Sequence, residues 1–234
     1  MEWLVHIIGN NSDLEELSKS LNSPELCVTQ EGENFFLKST YFNSFKEADD
    51  VRKKASEILP LINGSAMLAI EIKEPLKVGI IRKDHKNGTS EVFIVGSGSI
   101  VMGGSAHVEV IEPDGTIKEI RPADPIPNYF QKGLNDNNVA KVLQFLGTGK
   151  IDWRILYNIY DAIMEDVGGY NNLLNKGWAP KESIKLFHHT PQSWDAVGVD
   201  ARHGKHIPAP DKPMSISEAK SLIKNITIKW LQTK

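Results

Sequence analysis

Apolar positions change their period along this chain, and the change divides it in two. Residues 2–8 form an apolar run closed by Gly9-Asn10-Asn11, which reads as a strand. Ser12 with Glu15 three positions later makes a capping box for a helix carrying Leu14, Leu17 and Leu21. Leu26 to Thr29 and Phe35 to Phe42 are β-rich stretches joined by Glu31-Gly32-Glu33-Asn34, a hairpin connection. Ser44 and Glu47 form a second capping box, opening a helix with Phe45, Ala48, Val51, Ala55, Ile58, Leu59 and Ile62 on one face. Asn63-Gly64 is expected to close that helix, and Met67 to Ile72 to follow as a strand.

The order to this point is β-α-β-β-α-β, that of a ferredoxin-like split βαβ unit. After Pro75 the pattern is strand-like only. Val78–Ile80 and Val92–Val95 flank Lys86-Asn87-Gly88, while Val108–Ile111 and Ile117–Ile120 flank Asp114-Gly115, so a β-meander is expected to extend the sheet. Residues 122–134 read as a linker, because Pro122, Pro125 and Pro127 favour extended chain.

Beyond the linker the period becomes helical. Val139, Val142, Leu143 and Leu146 precede Gly147, and Asp152 caps a helix carrying Ile155, Leu156, Ile159, Ile163 and Val167. Pro180 starts a third helix that must end near Pro191. The last helix has its own capping box, Ser215 with Glu218, and places Ile216, Ala219, Leu222, Ile223, Ile226 and Trp230 on one face. The sequence therefore predicts an α+β fold: an α/β domain over 1–121, the linker, and a helical bundle over 135–234.

Composition narrows the function classes. The 234 residues are 40% hydrophobic and 24% charged, close to globular averages. The net charge of −3 carries no bias toward a nucleic-acid-coating surface. Cys27 is the only cysteine, which excludes an intramolecular disulfide and an all-cysteine metal site and suits a reducing compartment. The first residues carry no basic signal-peptide region and no run reaches about 18 apolar residues, so a cytoplasmic protein without a membrane partner is expected.

Four of the seven histidines fall between Phe187 and His206, where imidazoles serve as acid, base or ligand near neutral pH. Arg202 adds a guanidinium suited to phosphate or developing negative charge. His188, His189 and Asp195 are the candidate ligand-binding residues of this stretch. A metal held by His188 or His189 with His203, His206, Asp195 or Asp200 would suit zinc or iron. The spacing matches no short ligand motif, however, and adjacent histidines on a helix point roughly 100° apart, so no metal and no cofactor are predicted. Gly96-Ser97-Gly98-Ser99 and Gly103-Gly104-Ser105 match neither GxGxxG nor GxxxxGK[ST] and read as turns or bulges. His6 and His107 read as packed or edge histidines of strands, and the five tryptophans as core or interface anchors.

Ala201-Arg202-His203-Gly204, the proline-bounded stretch Pro208 to Pro213, and Ser215-Ile216-Ser217-Glu218-Ala219 opening an amphipathic helix together resemble the end of HEPN-type helical bundles. That resemblance covers residues 135–234. It implies either a metal-independent ribonuclease or a catalytically silent helical partner, of the kind found in toxin and antiphage systems, with Arg202, His203 and His206 as the catalytic candidates acting on an RNA phosphate. Active members space the Arg and His by four to six residues, whereas Arg202 and His206 have three between them and Arg202 and His203 none. The expectation is thus an interaction or regulatory protein of a bacterial defence or stress system, with a protein partner or a second copy of itself. The alternative is a ribonuclease or RNA-binding module.

Overall fold

The computed structural model describes residues 2–93, 124–203 and 206–234, and these form an α+β protein. Its N-terminal part runs β1 (Glu2–Ile8), α1 (Asn11–Ser20), β2 (Leu26–Glu31), β3 (Asn34–Ser39), α2 (Ala48–Ile70), β4 (Lys77–Asp84) and β5 (Ser90–Phe93). The five strands make one antiparallel sheet in the order β2-β3-β1-β4-β5. The first four strands thus take the split βαβ arrangement. Leu14 and Leu17 of α1, Val51, Ala55 and Ile58 of α2, and Val5 and Ile7 of β1 are buried in the core.

Two elements differ from the sequence reading. The helix expected to stop at Gly64 continues to Ile70, so Met67–Ile72 is not a strand and the fourth strand is Lys77–Asp84. Periodicity cannot separate a short apolar run in a strand from one in a buried helix. Gly64 is not a terminator but a point of close approach: a Cβ there would collide with the Leu143 backbone. The starting caps also move. Asn10, not Ser12, caps α1, its side chain accepting from the Ser12 N–H at 3.1 Å. Ser44 does not stand at the start of α2, which begins at Ala48. The preceding chain is instead anchored by fully buried Phe42 and by the Trp3 indole N–H donating to the Phe45 carbonyl at 3.1 Å. The hairpin flanking Lys86-Asn87-Gly88 is present as β4 and β5. The second hairpin, both glycine-serine stretches and His107 lie outside the described residues.

The remaining helices are α3 (Pro125–Asn135), α4 (Asn137–Leu146), α5 (Trp153–Asp166), α6 (Tyr170–Asn175), α7 (Lys181–His189), α8 (Trp194–Val197) and α9 (Ile216–Leu231). Most of the stretch read as a linker is α3. Its prolines do not forbid the helix, because Pro125 and Pro127 stand in the first turn, where the backbone N–H groups have no intrahelical acceptor. The chain divides into two compact units, Met1–Leu59 with Leu76–Pro127 and Pro60–Pro75 with Asn128–Lys234. The division therefore passes through α2, at the proline inside it, and not only through residues 122–134. Among the described residues no helix is long and apolar enough to cross a membrane.

The predicted caps of the second unit are present. Asp152 accepts from the Ile155 N–H at 3.0 Å. Ser215 Oγ accepts from the Glu218 N–H at 3.3 Å while the Glu218 carboxylate accepts from the Ser215 N–H at 2.8 Å. Ser215→Ala is therefore expected to lower stability by about 1 kcal/mol, whereas Ser44→Ala stays within about 0.5 kcal/mol of the parent. Thermal melts of the two variants side by side check the assignment, and equal melting of both would contradict it.

Candidate functional site

The site is built on α5. Its cap at Asp152 sets the helical phase, and positions 153, 157 and 161 then follow one another at intervals of four. Trp153, Tyr157 and Tyr160 are buried. Asp161 is the carboxylate on this aromatic face, met by Arg202 from the segment after α8, while half-buried His188 of α7 meets Tyr157.

Arg202 is held on three sides. Its guanidinium Nη2 lies 3.0 Å from Asp161 Oδ2, its guanidinium carbon stands 4.3 Å from the centre of the Tyr157 ring, and its backbone N–H donates to the Pro191 carbonyl at 2.8 Å. Tyr157 Oη and His188 Nδ1 are 3.1 Å apart. The His188 ring packs on Tyr157, Tyr160 and Tyr170, with the Tyr170 ring centre 5.0 Å away. The loop is tied at its other end as well: Thr190 Oγ1 donates to the Leu186 carbonyl at 2.9 Å and accepts from the Met214 N–H at 3.2 Å.

Burial dominates the electrostatics. It pushes the His188 imidazole below its ordinary pKa, with Asp161 acting against the shift and Arg202 and His189 adding to it. Desolvation of this kind favours the neutral form of the ring. Burial raises the Asp161 carboxyl, although Arg202 and His188 oppose it. It also raises the phenols of Tyr157 and Tyr160. Two buried atoms of this cluster, Asp161 Oδ1 and Tyr160 Oη, find no hydrogen-bond partner among the described residues.

The six residues singled out in the sequence do not act as one set. Arg202 and His188 join the Asp161 cluster. His189 is exposed and its Nε2 lies 2.9 Å from the Pro208 carbonyl, which requires an N–H there. His206 Nδ1 lies 3.8 Å from Asp195 Oδ2, with both side chains largely in solvent. His203 is half-exposed. Sequence reading missed Tyr157, Tyr160, Asp161 and Tyr170. The available signal was the carboxylate at 161 directly after Tyr160 and four residues beyond Tyr157. Among the described residues no three His, Cys, Asp or Glu side chains converge as a metal site.

Chemically, the cluster combines an imidazole biased toward its neutral form, protonated phenols and a carboxylate already paired with a guanidinium. A cavity of about 190 Å³ lies beside it, lined among others by Trp153, Arg154, Asn158, Asp200 and Arg202. The chain matches no protein-family model, no curated protein and no solved structure.

Proposed function

We propose that this chain is an interaction or regulatory protein whose helical unit is a non-catalytic, HEPN-like binding module. The observation that carries the reading is the engagement of Arg202: its charge is met by Asp161, its face by Tyr157 and its backbone by Pro191. An arginine held this way braces the loop between α7 and α9 rather than waiting for a phosphate. The braced loop displays Trp194, 55% exposed, and Val199, 80% exposed. Large side chains presented on a fixed backbone suit recognition of a protein partner or a second copy of the chain.

The test is a cleavage assay of purified protein on mixed RNA substrates, with and without chelator. No cleavage is expected in either. Arg202→Ala is expected to lose about 1 kcal/mol of stability, since solvent screens the partly exposed ion pair while stacking on Tyr157 is also lost. In a unit of this size that is a Tm decrease on the order of 3–5 °C. Cleavage that survives chelator and disappears in a folded Arg202→Ala protein would overturn the reading.

One observation favours RNA contact as a second reading. Arg202 and His188, rather than His203 or His206, both contact Tyr157, in the wall of a cavity that also has Arg154 and Trp153 in its lining. In that case Arg154→Ala weakens RNA binding in a salt-dependent way.

A further inference from the structure

We propose that the second unit holds a pocket for a small amphipathic anion, a medium-chain aliphatic carboxylate, between the end of α2, the α4–α5 connection and α9. The proposal is independent of the Arg202 cluster.

The cavity measures about 420 Å³, within the range of small-molecule sites. Its floor is aliphatic. Leu68, Ile72, Leu146, Leu156 and Ile223 line it, with Met67 beside them. The rim is polar and arises from one helix face: Ser217, Lys220, Ser221 and Lys224 follow one another along α9 at i, i+3, i+4 and i+7. Lys73 adds a further ammonium group at the end of α2.

Charge selects the ligand's sign. Among the described residues three lysines and one carboxylate, Glu71, line the cavity, and Glu71 is ion-paired with Lys224. Lys220 of the rim therefore sets positive charge beside the apolar floor, next to the Lys224–Glu71 pair. Glu71 occupies the left-handed region at φ 55°, a conformation that disfavours any residue with a Cβ. This backbone, together with the Lys224 pair, turns the chain so that Ile72 enters the core while Lys73 lines the mouth. Strained backbone of this kind recurs at ligand sites. Exposed Ile70 and Ile216 stand next in sequence to the rim residues Glu71 and Ser217, extending the apolar surface outward.

The lining also selects the class of tail. Among the described residues no aromatic ring lines this cavity, so a nucleobase finds no stacking partner among them, whereas a flexible alkyl chain packs on leucine, isoleucine and methionine. The lysines and the two serine hydroxyls supply donors for a carboxylate head.

Calorimetric titration of the full chain with octanoate tests this, with octylammonium and inorganic phosphate as comparison ligands. Saturable octanoate binding at one site is expected, with no heat from octylammonium or phosphate. Lys220→Glu is expected to weaken octanoate by about tenfold or more, as reversal of a rim charge should, and Lys220→Arg to retain it. Ser221→Trp, a change on the exposed face of α9, should close the mouth and abolish binding while the circular dichroism spectrum and Tm remain those of the parent. Absence of octanoate binding, equal binding of octylammonium, or unchanged affinity in both Lys220→Glu and Ser221→Trp would overturn the assignment. So would phosphate binding in place of octanoate, because the apolar floor would then play no part.

Discussion

Trp230→Ala is expected to destabilise the helical unit by roughly 3–5 kcal/mol, the cost of emptying a buried indole site. The ring is fully buried on α9, as the apolar stripe of the sequence predicts, and its N–H donates to Asp166 Oδ2 on α5 at 2.8 Å. That carboxylate also accepts from Lys234 Nζ at 2.7 Å and from Asn138 at 2.9 Å. One substitution thus removes packing and loosens a node joining α4, α5 and the chain after α9. Burial raises the Asp166 carboxyl, but the hydrogen bonds from Lys234, Trp230 and Asn138 outweigh it and hold the group below the usual carboxylate range. A depressed carboxylate contributes stability above its unfolded pKa, and the contribution is lost as pH falls through the folded value. The deficit of the alanine variant should therefore be largest near neutrality and shrink under acid. Trp230→Phe keeps most of the volume and loses only the N–H donor, so its deficit should be the smaller. Thermal melts at neutral and acid pH check both statements, and a near-neutral Trp230→Ala would contradict the burial of the ring.

Gly64→Ala should lower stability by about 2 kcal/mol, against the sign that helix propensity assigns. In an exposed helix interior the exchange gains about 1 kcal/mol. Gly64, however, lies where α2 meets α4, and a Cβ would collide with the Leu143 carbonyl, carbonyl carbon and Cα. Backbone yields less readily than the end of a side chain, so the helices must separate, and overpacking of this kind costs roughly 1–3 kcal/mol or more. A melt that rises in the alanine variant would show that the two helices do not approach at this point.

The same glycine explains one limit of the sequence. Asn63-Gly64 carries the local signature of a helix end, and nothing near it in the chain reveals that the residue opposite is Leu143. Gly149 behaves alike: it has φ 75°, and a Cβ there would strike the Pro75 ring. In both cases the choice of glycine records a contact with a distant segment.

Local signals were legible. The Ser215–Glu218 box, the Asp152 cap, the apolar stripe of α9 and the hairpin flanking Lys86-Asn87-Gly88 all use partners within a few residues. Spacing alone therefore specifies them. Arg202 and His188 were also visible as residue types suited to chemistry, and so was the concentration of histidines around them. Their partner was not. Asp161 lies 41 positions before Arg202, and Tyr157 is joined to His188 across 31 positions. The histidine that meets Tyr157 alongside Arg202 is His188, 14 positions before Arg202 in sequence. By itself, then, the sequence determined the starts of α5 and α9, the hairpin of β4 and β5, and which residue types carry charge near neutral pH, because neighbours along the chain decide caps and turns and the side chain itself decides its intrinsic pKa. Only the tertiary structure decided which groups meet: packing against α5 brings Arg202 to Asp161 and Tyr157 and His188 to Tyr157, and desolvation there raises the Asp161 carboxyl and the Tyr157 phenol and lowers the His188 imidazole.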